Sequence, residues 1–355
     1  MYELTLQTLG SSLHALPQTI WVKDSPSDWG DLITSMMSRK TWEKLPQMKH
    51  LNPARKWEVV SAYQKAVRRG DLAVALKMVA AIDCTGDMEM LKYLWRRVLT
   101  TVAEDCGPAS PGLMAFVMAA HEWTKKEVWG SQVAIIAVLT EMMCLYPRSR
   151  TYCAMSIIEN RLKAVSVDEN GVVPVANLTM TPLDDWELEF LEYLRTRPPE
   201  LEQTVAWWCR KKGWLTEHLS DYYSFTPELE DRPLFPFPVT ETIAGLPSYA
   251  YDMHTKIGKT ILYKIGGEPE LGILKETQCN DRAKALGWAM FFCEGGRITD
   301  ELWDVKIAQL EKKLAYGQFG MSAEEGAELE KAMQVLIDSG RINARRAYAA
   351  KSMYG

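Results

Sequence analysis

The chain has no Cys-x-x-Cys pair, no HxxxH, HxH or HExxH spacing and no GxSxG, and its five histidines are widely scattered. The first absence excludes a zinc knuckle, the second a local metal site, and the third an elbow-borne serine nucleophile. Seven cysteines at Cys84, Cys106, Cys144, Cys153, Cys209, Cys279 and Cys293 make an odd count without framework spacing, so reduced and mostly buried thiols are expected. The start, MYELTLQTLGSSLHALPQ, lacks both a basic segment and an apolar one, so no secretory leader is read there. The most apolar run, Val133 to Leu139, is far too short to span a bilayer. Basic excess is missing too: net charge is −5, which argues against a chain dominated by nucleic-acid affinity but leaves local basic clusters open. A cytoplasmic protein without a membrane partner is expected.

What is present is core material. Hydrophobic residues make up 47% of the 355 positions, with 13 Trp and 18 Met, enough for helix seams and a packed interior. Residues 1–53 sustain no period and read as an irregular arm, with a short helix near Trp29 to Met37. From residue 54 the pattern becomes helical. Trp57, Val60, Tyr63, Gln64 and Val67 fall near one face, and Gly70 ends that helix. Asp71 and Asp87 are natural N-caps, and Ser110-Pro111 opens a helix expected to run to Trp129. The next helix stops before Pro147, and another is expected from Ser149 to Val165.

Residues 54–166 therefore form one helical domain with short turns and no fixed-period repeat. Residues 167–246 read as an insert: a loop with a small hairpin at Asn170-Gly171, helices after Thr181-Pro182 and over 199–212, then a long Pro- and aromatic-rich connector over 220–247. Residues 247–355 form a second helical region, with helices near 248–263, 280–293, 299–315, 322–338 and 341–352. The class is all-α.

Gly258-Lys259-Thr260 ends like a phosphate-binding loop, but Met253 stands where the loop's first glycine belongs and the segment reads as helix. Asp168-Glu169 reads as a surface turn rather than a magnesium-holding strand end. Tyr251, Asp252 and His254 could build a composite site, but on a helix residues two apart do not share a face. Basic pairs at Arg68-Arg69 and Arg96-Arg97 read as solvated helix ends. The stronger nucleic-acid candidates are Arg341, Arg345, Arg346 and Lys351 on the C-terminal helix, with Arg210, Lys211 and Lys212 as a second cluster. No catalytic residue, cofactor or metal ligand is assigned, and the chain is read as a non-enzyme.

Two stretches resemble a known family. In residues 62–111, Arg69-Gly70-Asp71, Ala75-Leu76, Arg96-Arg97, Ala103-Glu104-Asp105, Gly107 and Pro111 keep the order and spacing of the helical collar of the replication-associated recombination ATPases, the Werner-helicase-interacting protein family. Further on, Tyr251, Asp252, His254, Thr255, Gly258 and Lys259, then Leu286-Gly287 and Phe291 to Gly296, are similar to a segment of collar-type relatives. The resemblance covers roughly residues 54–155 and 245–300. It implies a multi-helix bundle like a clamp-loader collar, self-association into a homo-oligomer, and a place near DNA or replication proteins. About fifty residues precede the collar, too few for the family's motor, so its ATPase activity is not expected here. A collar standing alone would suit a compact, phage-like genome. The alternative is an adaptor or inhibitor that caps another ATPase ring without touching DNA.

Overall fold

The computed structural model describes residues 2–5, 19–22, 37, 40–47, 51–107, 110–125, 127–150, 153, 154, 157, 240–297 and 305–354. The expected elements near Trp29 to Met37, over most of 149–165, and throughout 166–239 lie outside or largely outside these residues. The described residues are mainly helical and divide into two compact units.

In the first unit, the strands β1 (Tyr2–Thr5) and β2 (Thr19–Val22) pair antiparallel, Tyr2 opposite Val22. The arm thus contains a strand pair that its broken hydrophobic pattern did not announce. Five helices follow: α1 (Lys56–Arg69), α2 (Leu72–Asp83), α3 (Met88–Thr101), α4 (Pro111–Thr124) and α5 (Trp129–Leu145). Every residue of α1 from Glu58 to Arg69 is buried, polar ones included. Helix α5 is mostly apolar and buries every residue from Val133 to Leu139, as a central helix must.

The turns obey local chemistry. Gly70 closes α1 at φ 70°, a left-handed cap position. A Cβ there would lie 3.0 Å from Arg148 Nη1, so the site requires glycine twice over. Asp71 accepts from the Val74 N–H and caps α2, and Asp87 accepts from the Glu89 N–H and caps α3. Pro111 is the first residue of α4, but the Ser110 hydroxyl donates to the Pro147 carbonyl. Helix α4 ends at Thr124 rather than Trp129, and Trp129 begins α5.

In the second unit, β3 (Thr242–Ile243) and β4 (Leu246–Pro247) form a tight hairpin. Ala244 and Gly245 turn it at φ 48° and 82°, the twist a two-residue hairpin needs. A 3-10 turn at Ser248–Ala250 follows, then α6 (Lys256–Ile265), the short α7 (Ile273–Glu276), α8 (Arg282–Cys293), α9 (Val305–Gly317), α10 (Ala323–Asp338) and α11 (Arg341–Tyr354). The helix expected over 248–263 starts only at Lys256, because Tyr251 to Thr255 form a turn. Ser322 and Glu325 make a reciprocal capping box at the start of α10. Gly326 lets α10 cross close over the Tyr316 ring, where a Cβ would approach Cδ2 to 2.3 Å.

Among the described residues no helix is long and apolar enough to cross a membrane. None of the six described cysteines is in a disulfide; Cys106 and Cys144 are buried and the others half-buried. Burial pushes the Cys293 thiol up to about 12 and Cys106 higher still, which keeps both protonated and unreactive at neutral pH.

Candidate functional site

The residues of the first resemblance surround a buried carboxylate. After α3 the backbone widens into a π-turn over Val102–Cys106, and Gly107 at φ 51° ends it. That turn aims Asp105 inward, where it has no exposed surface. Arg68 Nε donates to Asp105 Oδ1 at 2.6 Å and Arg150 Nη1 at 2.9 Å, while Gln64 Nε2 donates to Oδ2 at 3.1 Å. The same Gln64 amide donates to Glu104 at 2.9 Å, and its carbonyl accepts from Arg97 Nη1 at 2.6 Å. Burial alone would push the Asp105 carboxyl up, but the Arg68 and Arg150 guanidiniums and the Gln64 amide hold it below the ordinary aspartate range. At neutral pH the carboxylate is a charged anchor, occupied on both oxygens. Arg96 is exposed on α3.

This overturns the reading of Arg68-Arg69 as a solvated helix end. Both are about 3% exposed, because α1 is enclosed from Glu58 to Arg69. Arg148, with 1% exposure, reaches the last turn of α1 and donates to the Val67 and Arg68 carbonyls. Neither Arg148 nor Arg150 stood out in the sequence, since a single Arg beside Pro147 carries no periodic or spacing signal.

The second constellation is a turn, not a helix. Asp252 Oδ1 accepts from the His254 N–H at 3.0 Å, and Oδ2 meets His254 Nδ1 at 3.0 Å. The pair that helical geometry would separate is therefore brought together. The Asp252 side chain is 2% exposed and that of His254 is 55% exposed. The imidazole packs edge-on to Phe291, with centroids 6.0 Å apart. Thr255 caps α6: its hydroxyl donates to the Asp252 carbonyl and accepts from the Gly258 N–H, both at 3.1 Å. A Cβ on Gly258 would fall 1.7 Å from the Asp252 carbonyl oxygen, so the turn and α6 touch backbone to backbone. The Tyr251 hydroxyl donates to the Ile243 carbonyl at 2.9 Å and ties the turn to the hairpin. Lys259 is exposed on α6.

Arg346 closes this turn from α11. It has no exposed surface and cannot face DNA, a correction to its place among the nucleic-acid candidates. Its guanidinium donates to Glu294 at 3.0 and 2.6 Å, to Asn343 at 2.9 Å and to the Tyr251 carbonyl at 3.2 Å. The Ser248 hydroxyl donates to the same Glu294. In a helix read by periodicity, Arg345 and Arg346 look alike. Their opposite fates are set by which way the adjacent residue turns.

The remaining basic candidates divide. Arg341 pairs with Glu268 at 3.0 Å and with Glu270, and Arg345 pairs with Glu268 and donates to the Lys264 carbonyl. Lys351 is exposed near the end of α11. Arg210, Lys211 and Lys212 lie outside the described residues. Between α6 and α11 runs a groove of about 510 Å³, whose walls include Thr260, Lys264, Arg341, Arg345 and Tyr348. Periodicity missed the α6 side because its lysines are spaced along a helix rather than clustered in sequence. Among the described residues no group of three or more His, Cys, Asp or Glu side chains is placed to hold a metal ion.

No family model matches the chain, and no solved structure matches it. One curated protein is similar: Replication-associated recombination protein A of Bacillus subtilis (strain 168), 30% identical over 118 residues. The match takes in 33% of this chain and spans 27% of the length of that relative.

Proposed function

We propose that this chain is an accessory protein of DNA replication or recombination that hydrolyses no nucleotide, self-associates through its helices and contacts DNA or replication proteins. The observation that carries the reading is the 30% identity, over 118 residues, to a protein named for replication-associated recombination. Two features support the non-catalytic part. Lys259 and Thr260 sit inside α6, and the Gly258 N–H is already spent on the Thr255 cap. The collar-like role rests on the sequence resemblance and on the mainly helical character of the described units.

Light scattering behind size-exclusion chromatography, with DNA titrations across a salt series, tests this reading. A discrete oligomer is expected, with DNA affinity that falls steeply as salt rises. A monomer that ignores DNA at low salt and retains no replication protein in pull-downs sinks the reading.

A second reading, a protein-binding adaptor, is favoured by two surface features. The ion pairs to Glu268 and Glu270 offset the charge of Arg341 and Arg345. An exposed cluster on the first unit gathers Trp57, 51% exposed, edge-on to Tyr93 at 5.0 Å with Lys56 over both rings, and interfaces are enriched in such residues. Charge reversal at Arg341 and Arg345 separates the readings. Loss of DNA binding favours the first, and retained partner binding without any DNA affinity favours the second.

A further inference from the structure

We infer that the groove between α6 and α11 is a binding track for single-stranded nucleic acid, with Tyr348 as a base-stacking platform and Lys264 as its main phosphate contact. The inference deepens the DNA-contacting reading above and rests on it.

Both helices are free of acid. The sequences KIGKTILYKI of α6 and RINARRAYAAKSMY of α11 contain no Asp or Glu, in a chain whose net charge is −5. Such segregation of charge is the electrostatic footprint of an anionic partner. Lys256, Thr260 and Lys264 are spaced four apart and so lie along one stripe of α6, over about 12 Å of helix. Lys264 lines the groove, and among the described residues no carboxylate lies within ion-pair distance of it, of Lys256 or of Lys259. Arg341 and Arg345 on the facing wall are held by Glu268 and Glu270, so they are pre-positioned and part-neutralised. The unpaired lysines carry the attraction.

The aromatic side chain decides the type of ligand. Tyr348 is 70% exposed and lines the groove. Lys264 Nζ lies over the Tyr348 ring, 6.0 Å from its centroid, so the amine and an aromatic ring that stays 70% exposed are immediate neighbours. Large exposed rings beside amines suit unpaired bases, which stack on aromatics, while the backbone tracks the cations. A duplex hides its base faces and gains nothing from Tyr348. An acidic peptide would use the lysines but not the ring.

The test is fluorescence anisotropy with the full chain and a short labelled oligothymidylate, the matching duplex and labelled polyglutamate, across a salt series. The wild-type chain is expected to prefer the single strand. Tyr348→Ala should weaken that binding about tenfold, and Tyr348→Trp should retain it. Lys264→Glu should weaken it and flatten the salt slope by about 0.7 for each phosphate left without its cation. Both side chains are exposed, and thermal melts of the variants check that they fold. Single-strand binding that ignores both substitutions overturns the groove while leaving DNA contact elsewhere intact. Duplex bound as tightly as single strand overturns the assignment of ligand. Polyglutamate bound equally well, released in Lys264→Glu but kept in Tyr348→Ala, replaces nucleic acid with an acidic protein segment. A wild-type chain that binds no nucleic acid at all removes the DNA-contacting reading itself, and the track with it.

Discussion

Two buried ions anchor the two units, and each is a residue whose sequence neighbours gave no warning. Arg346 satisfies Glu294, Asn343 and the Tyr251 carbonyl at once. Removing one partner of a buried pair leaves the other charged and unsolvated, at a cost of about 3–5 kcal/mol. Arg346→Ala should therefore lower the stability of the second unit by about that amount in urea titrations, whereas the exposed Lys351→Ala should change it by under about 0.5 kcal/mol. If Arg346→Ala melts like the wild type, the pair is not structural. Asp105 makes the analogous prediction with pH. Its folded-state pKa lies below the ordinary value near 3.9. Its contribution is thus complete above about pH 4 and is lost as pH falls through the lower folded value. Asp105→Asn should be strongly destabilised near neutral pH, leaving Arg68 and Arg150 without their counter-charge. The gap to wild type should narrow as pH falls below about 4. A gap that stays constant over that range would show that Asp105 is not the titrating anchor.

At the scale of elements, caps and breakers were legible and interiors were not. Asp71, Asp87 and Gly70 sit at helix boundaries where short-range chemistry decides, and they act there as the sequence implies. Helix existence followed the 3.6-residue period in both units. What periodicity could not supply was enclosure. A helix buried on every side from its third residue on, such as α1, loses its polar face as a signal, so Arg68 and Arg69 read as solvent-facing when they are not. The Tyr251 to Thr255 turn failed for a different reason. Its residues tolerate helix, but the turn packs backbone to backbone against α6 at Gly258. That contact yields a sharp prediction. Gly258→Ala would push a methyl to 1.7 Å from the Asp252 carbonyl oxygen, against backbone that cannot rotate away. The loss should exceed the 1–3 kcal/mol typical of overpacking, although alanine is the better helix former by roughly 1 kcal/mol. Thr255→Ala, which removes only the cap, should cost about 1 kcal/mol. Denaturant midpoints of the two variants check the order, and a Gly258→Ala protein more stable than Thr255→Ala would refute the close contact.

For the whole molecule the decisive issue is whether a chain carrying Gly-Lys-Thr binds nucleotide. A phosphate-binding loop works because several consecutive backbone N–H groups stand unpaired around the anion before the helix begins. Here the helix has already begun at Lys256. The Gly258 N–H donates to the Thr255 hydroxyl and the Lys259 N–H to the Thr255 carbonyl. Freeing them would unwind the first turn of α6 and undo its backbone contact with Asp252. Nucleotide binding would therefore have to repay a folding cost before gaining affinity. A ligand that binds the native state at a hundred times its Kd stabilises by about 2.7 kcal/mol, readily seen in a melt. Magnesium ATP at millimolar concentration is expected to leave the melting temperature unchanged, and Lys259→Ala is expected to melt and self-associate like the wild type. A clear upward shift with ATP that disappears in Lys259→Ala would mean that α6 opens around phosphate. The chain would then need a different reading, as a nucleotide-responsive protein.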